Sequence, residues 1–584
     1  MPSSDDLNPL RLVYERELQL LSEHLRQFAS NWPETAQALE LAGGMPSDPD
    51  MARLLEGVVW LGARLQLQLD DGYESVCRQM LQLFYPDFLK PVPAMGIVQF
   101  ETGSLKGRAT LGMETPLELV HKGRPYRFYT RKPVQLLPIL VEEIVMMSEP
   151  LPLELAGMSK GVVSALRINL RSADGETALG ECVASNIEFY ASPDAVRANE
   201  LLDLLFSSLV GIGVCCYGHS ALLSPAKISW PLFESDNSLL PCAPSLFEAQ
   251  RLLRDFFLAP ELFRFLSLDL LEVLEMLSGP EVSLWFLMDD SVTGLEKDVG
   301  REHLTLGCVP AVNLYEVAAN PVSFDHTERD VPIVLGQLYP ETRVYDVLSV
   351  KDVTEPEQTI TLPDLFHASY GQQAAQLSWQ FVLSVVRDCL QFKDSRSGAE
   401  RNARVLAVLC LGYDPQAGGL PVSARLRPAG VALPCDGRLL KSTSEPIPGG
   451  LLAGEGWQLL SALQLNIRSF RMDVEEATRL RQILSLFVHE RPGVSRKLVD
   501  SIQSLVCTRE IRPCRSGCHY FVSQGSGYRV ILDRHKLNAV PASLFLLLLD
   551  QMLNFWRPFG SHSHLVAQFG ADGKTIEFPV RADG

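Results

Sequence analysis

The 584-residue sequence predicts a multi-domain α+β protein. In the first ninety residues, apolar side chains recur three and four residues apart, which is typical of helices that pack on one face. After residue 90, short alternating or β-branched segments between Gly and Pro predict strands. The chain is also several times longer than a domain of about 150 residues. We therefore expect an N-terminal helical region followed by mixed strand and helix domains.

The composition indicates a folded protein and argues against several classes of function. Hydrophobic residues make up 46% of the chain and charged residues 21%, which indicates folded domains, while the net charge of −18 argues against nucleic-acid binding over the whole surface. The acidic start and the absence of an apolar segment of about 20 residues predict neither a signal peptide nor a membrane insertion, so we expect a cytoplasmic protein. The 12 scattered Cys suggest buried thiols rather than disulfides.

The first predicted domain, 1–90, begins with a helix that opens at Asn8-Pro9. One face of this helix is an apolar seam, and its members are Tyr14, Leu18, Leu21, Leu25, Phe28 and Trp32. Such a seam packs either within its own domain or against helices of another subunit. Under the second interpretation these six residues form a partner interface.

A second helix is predicted to open at Asp48-Pro49-Asp50. Its apolar face consists of Leu54, Val58, Leu61, Leu65 and Leu69. A further apolar set follows Asp70-Asp71-Gly72 and contains Tyr73, Val76, Met80 and Phe84. The pattern predicts three helices, or two with a bend, that end at Tyr85-Pro86.

The second predicted domain, 91–300, mixes strands and helices. Its predicted strands are Gly96–Phe100, Leu117–Val120, Val134–Val141, Ala165–Leu170, Asn186–Tyr190 and Val282–Met288. Its predicted helices are Ser192–Leu209, Pro244–Leu258 and Pro260–Leu277.

A β-rich middle domain is predicted over 301–456, with strands at Arg343–Val353 and Arg404–Leu411 and a Pro/Gly-rich connection over 412–456. The C-terminal α+β domain is predicted over 457–584. Its expected elements are helices at Trp457–Leu465, Val474–His489 and Pro541–Trp556, and a hairpin of Cys518–Ser523 and Tyr528–Asp533 around Gly525-Ser526-Gly527. Within 491–540, nine basic residues face three acidic ones, which suits docking on an acidic partner or a solvated surface of no special role.

Several common catalytic motifs are absent from the sequence. The sequence contains no phosphate-binding loop, no nucleophile elbow and no HExxH motif. The candidates for a zinc site are Cys514, Cys518, His519, His562 and His564. Their loose spacing differs from the two tight ligand pairs of most structural zinc sites, so the sequence favours ordinary surface residues over a metal site.

Two acidic groups offer weaker candidates. Asp325-His326 with Glu328 and Asp330 could present a carboxylate-oriented histidine, but no nucleophile precedes them and a loop is the simpler interpretation. Asp289-Asp290 follows a predicted strand and indicates a turn. We therefore expect no catalytic residue, no cofactor and no metal, and the alternative is a metal-dependent hydrolase that uses the C-terminal Cys and His residues.

Several stretches resemble one protein family in an ordered set that covers about residues 8–560. They are 14–21 (YERELQLL), 48–57 (DPDMARLLEG), 63–64 (AR), 69–71 (LDD), 83–95 (LFYPDFLKPVPAM), 98–100 (VQF), 308–316 (CVPAVNLYE), Pro321, 325–327 (DHT) and 344–350 (VYDVLSV). The family is TssF, also called ImpG or VasA, a baseplate subunit of the bacterial type VI secretion system. The chain departs from the family pattern at 560–564 (GSHSH) and around Cys514 and Cys518.

The resemblance implies a structural protein without enzymatic activity, similar in fold to the wedge proteins of phage baseplates. It implies assembly with TssG, TssK and a second copy of the chain into wedges around the VgrG spike. It also implies connections to TssE and the sheath, and docking at the inner-membrane complex from the cytoplasmic side. We expect loss of wedge assembly when the seam is charged, for example by Leu21→Glu.

Overall fold

The computed structural model describes residues 9–38, 41–42, 45–46, 48–84, 86–148, 161–233, 238–241, 248–325, 330–336, 341–355, 357, 359–365, 377–382, 388–394, 403–430, 433–449, 476–488, 492–516, 519–537, 540–558, 560–570 and 574–582. Their mixture of helices and several sheets confirms the predicted α+β class.

The helices are α1 (Pro9–Asn31), α2 (Pro33–Ala38), α3 (Pro49–Phe84), α4 (Leu179–Cys182), α5 (Ala198–Ser207), α6 (Glu248–Leu258), α7 (Leu295–Asp298), α8 (Glu476–Ser485), α9 (Pro492–Asp500) and α10 (Ala542–Phe555). The strands are β1 (Leu41–Ala42), β2 (Met45–Pro46), β3 (Met95–Phe100), β4 (Ala109–Leu111), β5 (Pro116–His121), β6 (Arg124–Thr130), β7 (Val134–Leu136), β8 (Ile139–Ser148), β9 (Ser164–Ser172), β10 (Asn186–Ala191), β11 (Leu209–Cys216), β12 (His219–Leu223), β13 (Ile228–Ser229), β14 (Phe265–Asp269), β15 (Glu281–Met288), β16 (Leu304–Thr305), β17 (Cys308–Val312), β18 (Tyr315–Ala318), β19 (Val322–Phe324), β20 (Asp330–Pro332), β21 (Arg343–Asp352), β22 (Ile360–Leu362), β23 (Leu377–Val382), β24 (Cys389–Asp394), β25 (Arg404–Tyr413), β26 (Arg425–Pro428), β27 (Gly437–Leu439), β28 (Ile502–Ser516), β29 (His519–Leu532), β30 (His562–Phe569), β31 (Thr575–Glu577) and β32 (Arg581–Ala582).

The chain divides into two compact units, of which the first runs, among described residues, from Pro9 to Phe88. In this unit α1 packs against α3. The backbone N–H of Asp50 donates to the Asp48 carboxylate at 3.0 Å, which caps the start of α3 as the sequence predicts. α3 is one continuous helix of 36 residues, so the region follows the predicted alternative with two long helices, α1 and α3, rather than the one with three. Asp and Gly lower helix propensity by only about 1 kcal/mol each, which does not break a long helix.

The second unit contains a closed barrel in the order β17-β3-β27-β26-β5-β6. Alternating side chains of its strands, such as Leu117, Leu119 and Phe128, fill its core. The barrel strands β26 and β27 lie inside the segment 412–456, which the sequence predicts to be a connection. This part of the segment is therefore a piece of the barrel wall rather than a linker. In the barrel, β3 pairs with β17, although the predicted boundary after residue 300 assigns these two strands to different domains. The division into four domains stays a prediction.

Two further sheets of this unit share a second core. The first has the order β12-β11-β15-β9-β8 and the second β13-β14-β10-β16. The predicted helix Pro260–Leu277 is wrong, because this segment contains β14 between two short 3₁₀ helices, Pro260–Phe263 and Leu271–Met276. Four of the five residues of β14 are buried, and a short apolar run of this kind fits a helix or a buried strand equally well.

A third core lies between the sheet β18-β25-β21-β22, to which β19 adds, and the sheet β20-β24-β23. The last sheet has the order β28-β29-β30-β31, with β32 paired to β30. Helix α10 packs against α5, α6 and β30, and its residues 542–550 are all buried. This confirms the predicted helix Pro541–Trp556, whose apolar composition on all sides is typical of a buried helix.

The predicted hairpin around Gly525-Ser526-Gly527 is wrong. These three residues lie in the middle of β29, which pairs with β28 along one long hairpin from Ile502 to Leu532. A Cβ on Gly525 would lie 2.1 Å from the carbonyl oxygen of His562. The glycines therefore provide room for close neighbours rather than a turn. The predicted helix Trp457–Leu465 lies outside the described residues.

Candidate partner interface on the N-terminal helices

The predicted seam lies on α1 and the residue that follows it. Tyr14, Leu18, Leu21 and Leu25 are half-buried, whereas Phe28 and Trp32 are 37% and 62% exposed. The backbone N–H of Trp32 donates to the Phe28 carbonyl at 2.8 Å, which carries the helical path up to α2. The first part of the seam thus packs partly within its own unit, and its last two side chains face outward.

Helix α3 has two apolar faces. Val59, Ala63, Cys77 and Leu81 are buried in the unit. On the opposite side, the face predicted from the sequence is open, since Leu54, Val58, Leu61 and Leu65 are each between 58% and 66% exposed. A helix that is apolar on opposite sides requires a packing surface on each.

The open face of α3 is therefore the stronger candidate for a partner interface. We define it by Leu54, Val58, Leu61 and Leu65, since the side chain of Leu69 is outside the described set. α3 carries further exposed apolar residues, namely Met51, Trp60, Val76, Met80 and Leu83. Soluble monomers rarely expose a continuous apolar surface of this kind unless it binds something. The 4-3-4 spacing in the sequence indicates the face but not which side of the helix is covered.

The backbone positions of Cys514 and His519 are separated from those of His562 and His564. Cys514 pairs with Phe521 near the tip of the long hairpin, and His519 pairs with Ser516 there. Ser563, between the two histidines of β30, pairs with Ser526, seven residues along β29 from His519. At about 3.3 Å per residue this distance is roughly 23 Å, too far for a shared ion. Cys518 and the side chains of Cys514 and His519 lie outside the described residues.

His562 and His564 are buried on one face of β30. The Nε2 atom of His564 lies 3.0 Å from an oxygen of Glu577, and its Nδ1 lies 3.6 Å from an oxygen of Glu510. Burial lowers the pKa of His562, and the nearby Glu510 carboxylate opposes this effect. Among described residues, no three His, Cys, Asp or Glu side chains converge to form a metal site.

The other acidic candidates have structural contacts. The carboxylate of Asp330 in β20 accepts a hydrogen bond from the Gln391 side chain at 2.6 Å, while His326 and Glu328 lie outside the described residues. Asp289 and Asp290 follow β15 as predicted, and their carboxylates lie 3.1 and 3.6 Å from the Lys574 ammonium. These carboxylates connect neighbouring segments of the second unit.

A polar groove of about 470 Å³ lies on the sheet β12-β11-β15-β9-β8. Its carboxylates, Glu142 and Glu281, lie 3.0 and 3.9 Å from the guanidinium of Arg171. The Ser283 hydroxyl donates to the Asn169 side chain at 2.9 Å. These groups pair with one another across strands. Separately, no described helix has the length and apolarity needed to cross a bilayer.

Comparison with known proteins points in one direction. Residues 7–584 match the family model described as type VI secretion system, TssF. A relative is the type VI secretion system component TssF1 of Pseudomonas aeruginosa strain PAO1, which is 24% identical over 629 aligned positions covering 98% of this chain and 99% of the relative.

Solved structures show the same fold. A chain of the TssK-TssF-TssG baseplate subcomplex of a type VI secretion system, determined by cryo-electron microscopy, superposes with a TM-score of 0.73 at 19% identity, covering 91% of this chain and 99% of that one. A chain of the baseplate complex from the type VI secretion system gives a TM-score of 0.58 at 17% identity, covering 98% and 99%.

Proposed function

The chain belongs to the TssF family of the type VI secretion system, and from this premise we propose that it is a structural wedge subunit of the baseplate that assembles with TssK and TssG. The observation that carries the proposal is the open apolar face of α3, Leu54, Val58, Leu61 and Leu65, in a chain of this family. Its function is then to hold other subunits in a fixed geometry rather than to transform a substrate.

The energetics of the α3 face support an assembly role. Burial of an exposed Leu or Val side chain contributes about 1.5–3 kcal/mol, so four of them together supply a substantial part of a stable contact. An amphipathic helix of a partner would match such a face through residues three and four apart. The half-exposed end of the α1 seam, Phe28 and Trp32, adds aromatic surface of the kind that often dominates binding energy.

The further partners of the wedge and its location are part of the same proposal. We propose that helices of TssG and of a second copy of this chain cover the N-terminal faces, and that the assembled wedge surrounds the VgrG spike and connects to TssE and the sheath. The wedge would work in the cytoplasm, docked at the inner-membrane complex. Membership of the TssF family supports this arrangement, and the likeness to a chain of a TssK-TssF-TssG baseplate subcomplex supports the part that concerns TssG.

Co-expression tests the proposal. The tagged chain should co-purify with TssG and TssK of the same organism as one complex containing two copies of the chain, measured by size-exclusion chromatography with light scattering. Leu61→Glu should abolish this complex, because it places a charge on the open face of α3. It is a cleaner test than Leu21→Glu, because Leu21 is half-buried and its replacement also disturbs α1.

The matched control is Val120→Glu, at an equally exposed apolar position of the barrel. This variant should assemble as the wild-type chain does. A folded wild-type chain that ignores both partners would overturn the proposed function. Assembly of the Leu61→Glu variant would overturn only the assignment of the interface.

A further inference from the structure

The second unit carries an open strand edge at the long hairpin of β28 and β29. In the sheet order β28-β29-β30-β31, β28 is a terminal strand, and among described residues it pairs only with β29. It is 15 residues long, about three times the mean strand length. Between Gln503 and Ile511 it makes no other backbone hydrogen bond with described residues. Natural proteins usually cover or shorten such an edge, because its N–H and C=O groups can pair with another chain.

One face of this hairpin is apolar and exposed toward its tip. Ile511 and Val522 are 72% and 73% exposed, the highest values among the large hydrophobic residues of the described chain. Ile511 pairs with Gln524 and Pro513 with Val522, so Ile511 and Val522 are diagonal neighbours on one face. This pair lies far from the open face of α3 in sequence and belongs to the other unit.

A cation lies beside the apolar pair. Arg509 is two residues before Ile511 on β28, so the two side chains share a face. Arg509 is exposed and, within the described part of the chain, makes no hydrogen bond or ion pair. Its nearest acidic neighbour in sequence, Glu510, points to the opposite face, where its carboxylate bonds to Arg512 at 2.6 Å. The exposed charge on this face is therefore positive among the described side chains, and the buried carboxylate of Glu476 lies beside Cys507 at the inner end of the same face.

We propose that β28 docks an extended acidic segment of another protein, which adds to the sheet as an extra strand. Backbone hydrogen bonds to the free edge would supply affinity, and alternate side chains would supply specificity. Residues two apart on the added strand face Arg509 and Ile511, so the sequence that fits has a carboxylate and an apolar residue separated by one position. The excess of basic over acidic residues in 491–540 favours the same charge in the partner.

Peptide binding to the full-length chain tests the inference. The probe is a fluorescein-labelled ten-residue peptide that repeats Glu-Thr-Val-Thr, and its counterpart has Lys in place of Glu. Fluorescence anisotropy should show binding of the acidic peptide at least tenfold tighter than that of the basic one. Arg509→Glu should reverse the preference, and Ile511→Thr, which keeps strand propensity, should weaken binding of the acidic peptide.

The control variant is Arg529→Glu. Arg529 pairs with Val506 on the opposite face of the same hairpin, and within the described residues it too makes no ion pair. This variant should bind the acidic peptide as the wild-type chain does. N-methylation of the acidic peptide at the alternate positions that would donate to the edge should abolish binding.

Three results would overturn the inference: no binding of the acidic peptide at about 1 mM, the weakest range of a specific contact, equal affinity for both peptides, or an equal loss in the Arg509→Glu and Arg529→Glu variants. The co-purification that tests the proposed function requires TssG and TssK, whereas these binding measurements require neither. The two proposals can therefore fail separately.

Discussion

The Nε atom of Arg581, on the last strand, donates a 2.6 Å hydrogen bond to the buried carboxylate of Asp550 in α10. Asp550 lies in the middle of α10, the most apolar of the described helices, and is 2% exposed. Burial raises the pKa of Asp550, and Arg581 opposes this effect. The pair joins the central buried helix to the C-terminal edge of the sheet.

Arg581→Met should destabilise the chain by about 3 kcal/mol near neutral pH, because it leaves a buried carboxylate without its partner. The variant raises the pKa of Asp550 further. A carboxyl whose pKa is higher in the folded state favours folding below its unfolded pKa, and this contribution disappears as the pH rises through the folded value. The stability gap between variant and wild type should therefore widen from about pH 4 to about pH 7.

Differential scanning calorimetry at the two pH values measures the gap as a difference in midpoint temperature. The double variant Asp550→Leu/Arg581→Met is the control, because it removes both charges and should recover most of the loss. A gap that does not change with pH would show that Arg581 acts through packing alone.

A second buried pair joins the barrel to a neighbouring sheet. The Lys132 ammonium contacts the Glu188 carboxylate of β10, and it lies 4.1 Å above the ring of Phe265. Burial lowers the pKa of Lys132, and Glu188 opposes this effect. Burial also raises the pKa of Glu188, which the lysine opposes. Each group thus opposes the pKa shift that burial imposes on the other.

Glu188→Gln should destabilise the chain by about 3–5 kcal/mol at neutral pH. A lysine whose pKa is lower in the folded state binds fewer protons there than in the unfolded state. It therefore lowers the free energy of unfolding as the pH falls. The deficit of the variant should accordingly shrink from about pH 7 to about pH 10, in the opposite sense to Arg581→Met. Thermal unfolding at both pH values checks the sign, and Lys132→Met/Glu188→Leu should restore stability.

The glycines of β29 give a third prediction. Gly525→Ala should destabilise by about 1–3 kcal/mol, because the new Cβ meets the backbone oxygen of His562 at 2.1 Å. Gly527→Ala should cost less, because its Cβ meets the end of the flexible Glu510 side chain at 2.2 Å. Gly107→Ala has nothing within 4 Å and serves as the control for apparent midpoint temperature. Equal losses at Gly525 and Gly107 would contradict the close approach.

These same glycines show where sequence reasoning stops. Gly525-Ser526-Gly527 has the composition of a turn, and only the position of β30 reveals that the missing side chains serve packing between strands. The strands β3, β5, β9, β15 and β25 follow local alternation and β-branched runs, so the sequence predicts them well. The barrel, by contrast, joins strands more than 300 residues apart, such as β3 and β27, and no local pattern encodes that pairing.

The sequence predicts the apolar faces of the candidate interface but not which of them is exposed, for a similar reason. Spacing of three and four residues indicates apolar faces on α1 and α3, but both faces of α3 carry Leu, Val or Ala. Which of them is covered depends on where α1 packs, and this is a tertiary property. The sequence therefore favours the Tyr14-to-Trp32 seam, whereas the structure presents Leu54, Val58, Leu61 and Leu65 as the more open surface.

The two faces of α3 can be separated by one pair of substitutions. Leu61 is 60% exposed and Ala63 is fully buried, although they are two residues apart in the same helix. Leu61→Glu should leave the midpoint temperature within about 2 °C of wild type, because an exposed substitution changes stability by at most about 0.5 kcal/mol. Ala63→Glu should lower the helical content and the stability of the N-terminal unit by several kcal/mol, because it buries an unpaired charge.

Self-association of the isolated chain supplies the second readout. An open apolar face promotes concentration-dependent oligomers, so sedimentation velocity should show larger species for the wild-type chain as its concentration rises. Leu61→Glu should shift the distribution toward the monomer while circular dichroism stays unchanged. Ala63→Glu should increase aggregation, because it exposes the buried face as well. If instead both variants unfold to the same extent, both faces of α3 are internal, and the assignment of its outer face to a partner is wrong.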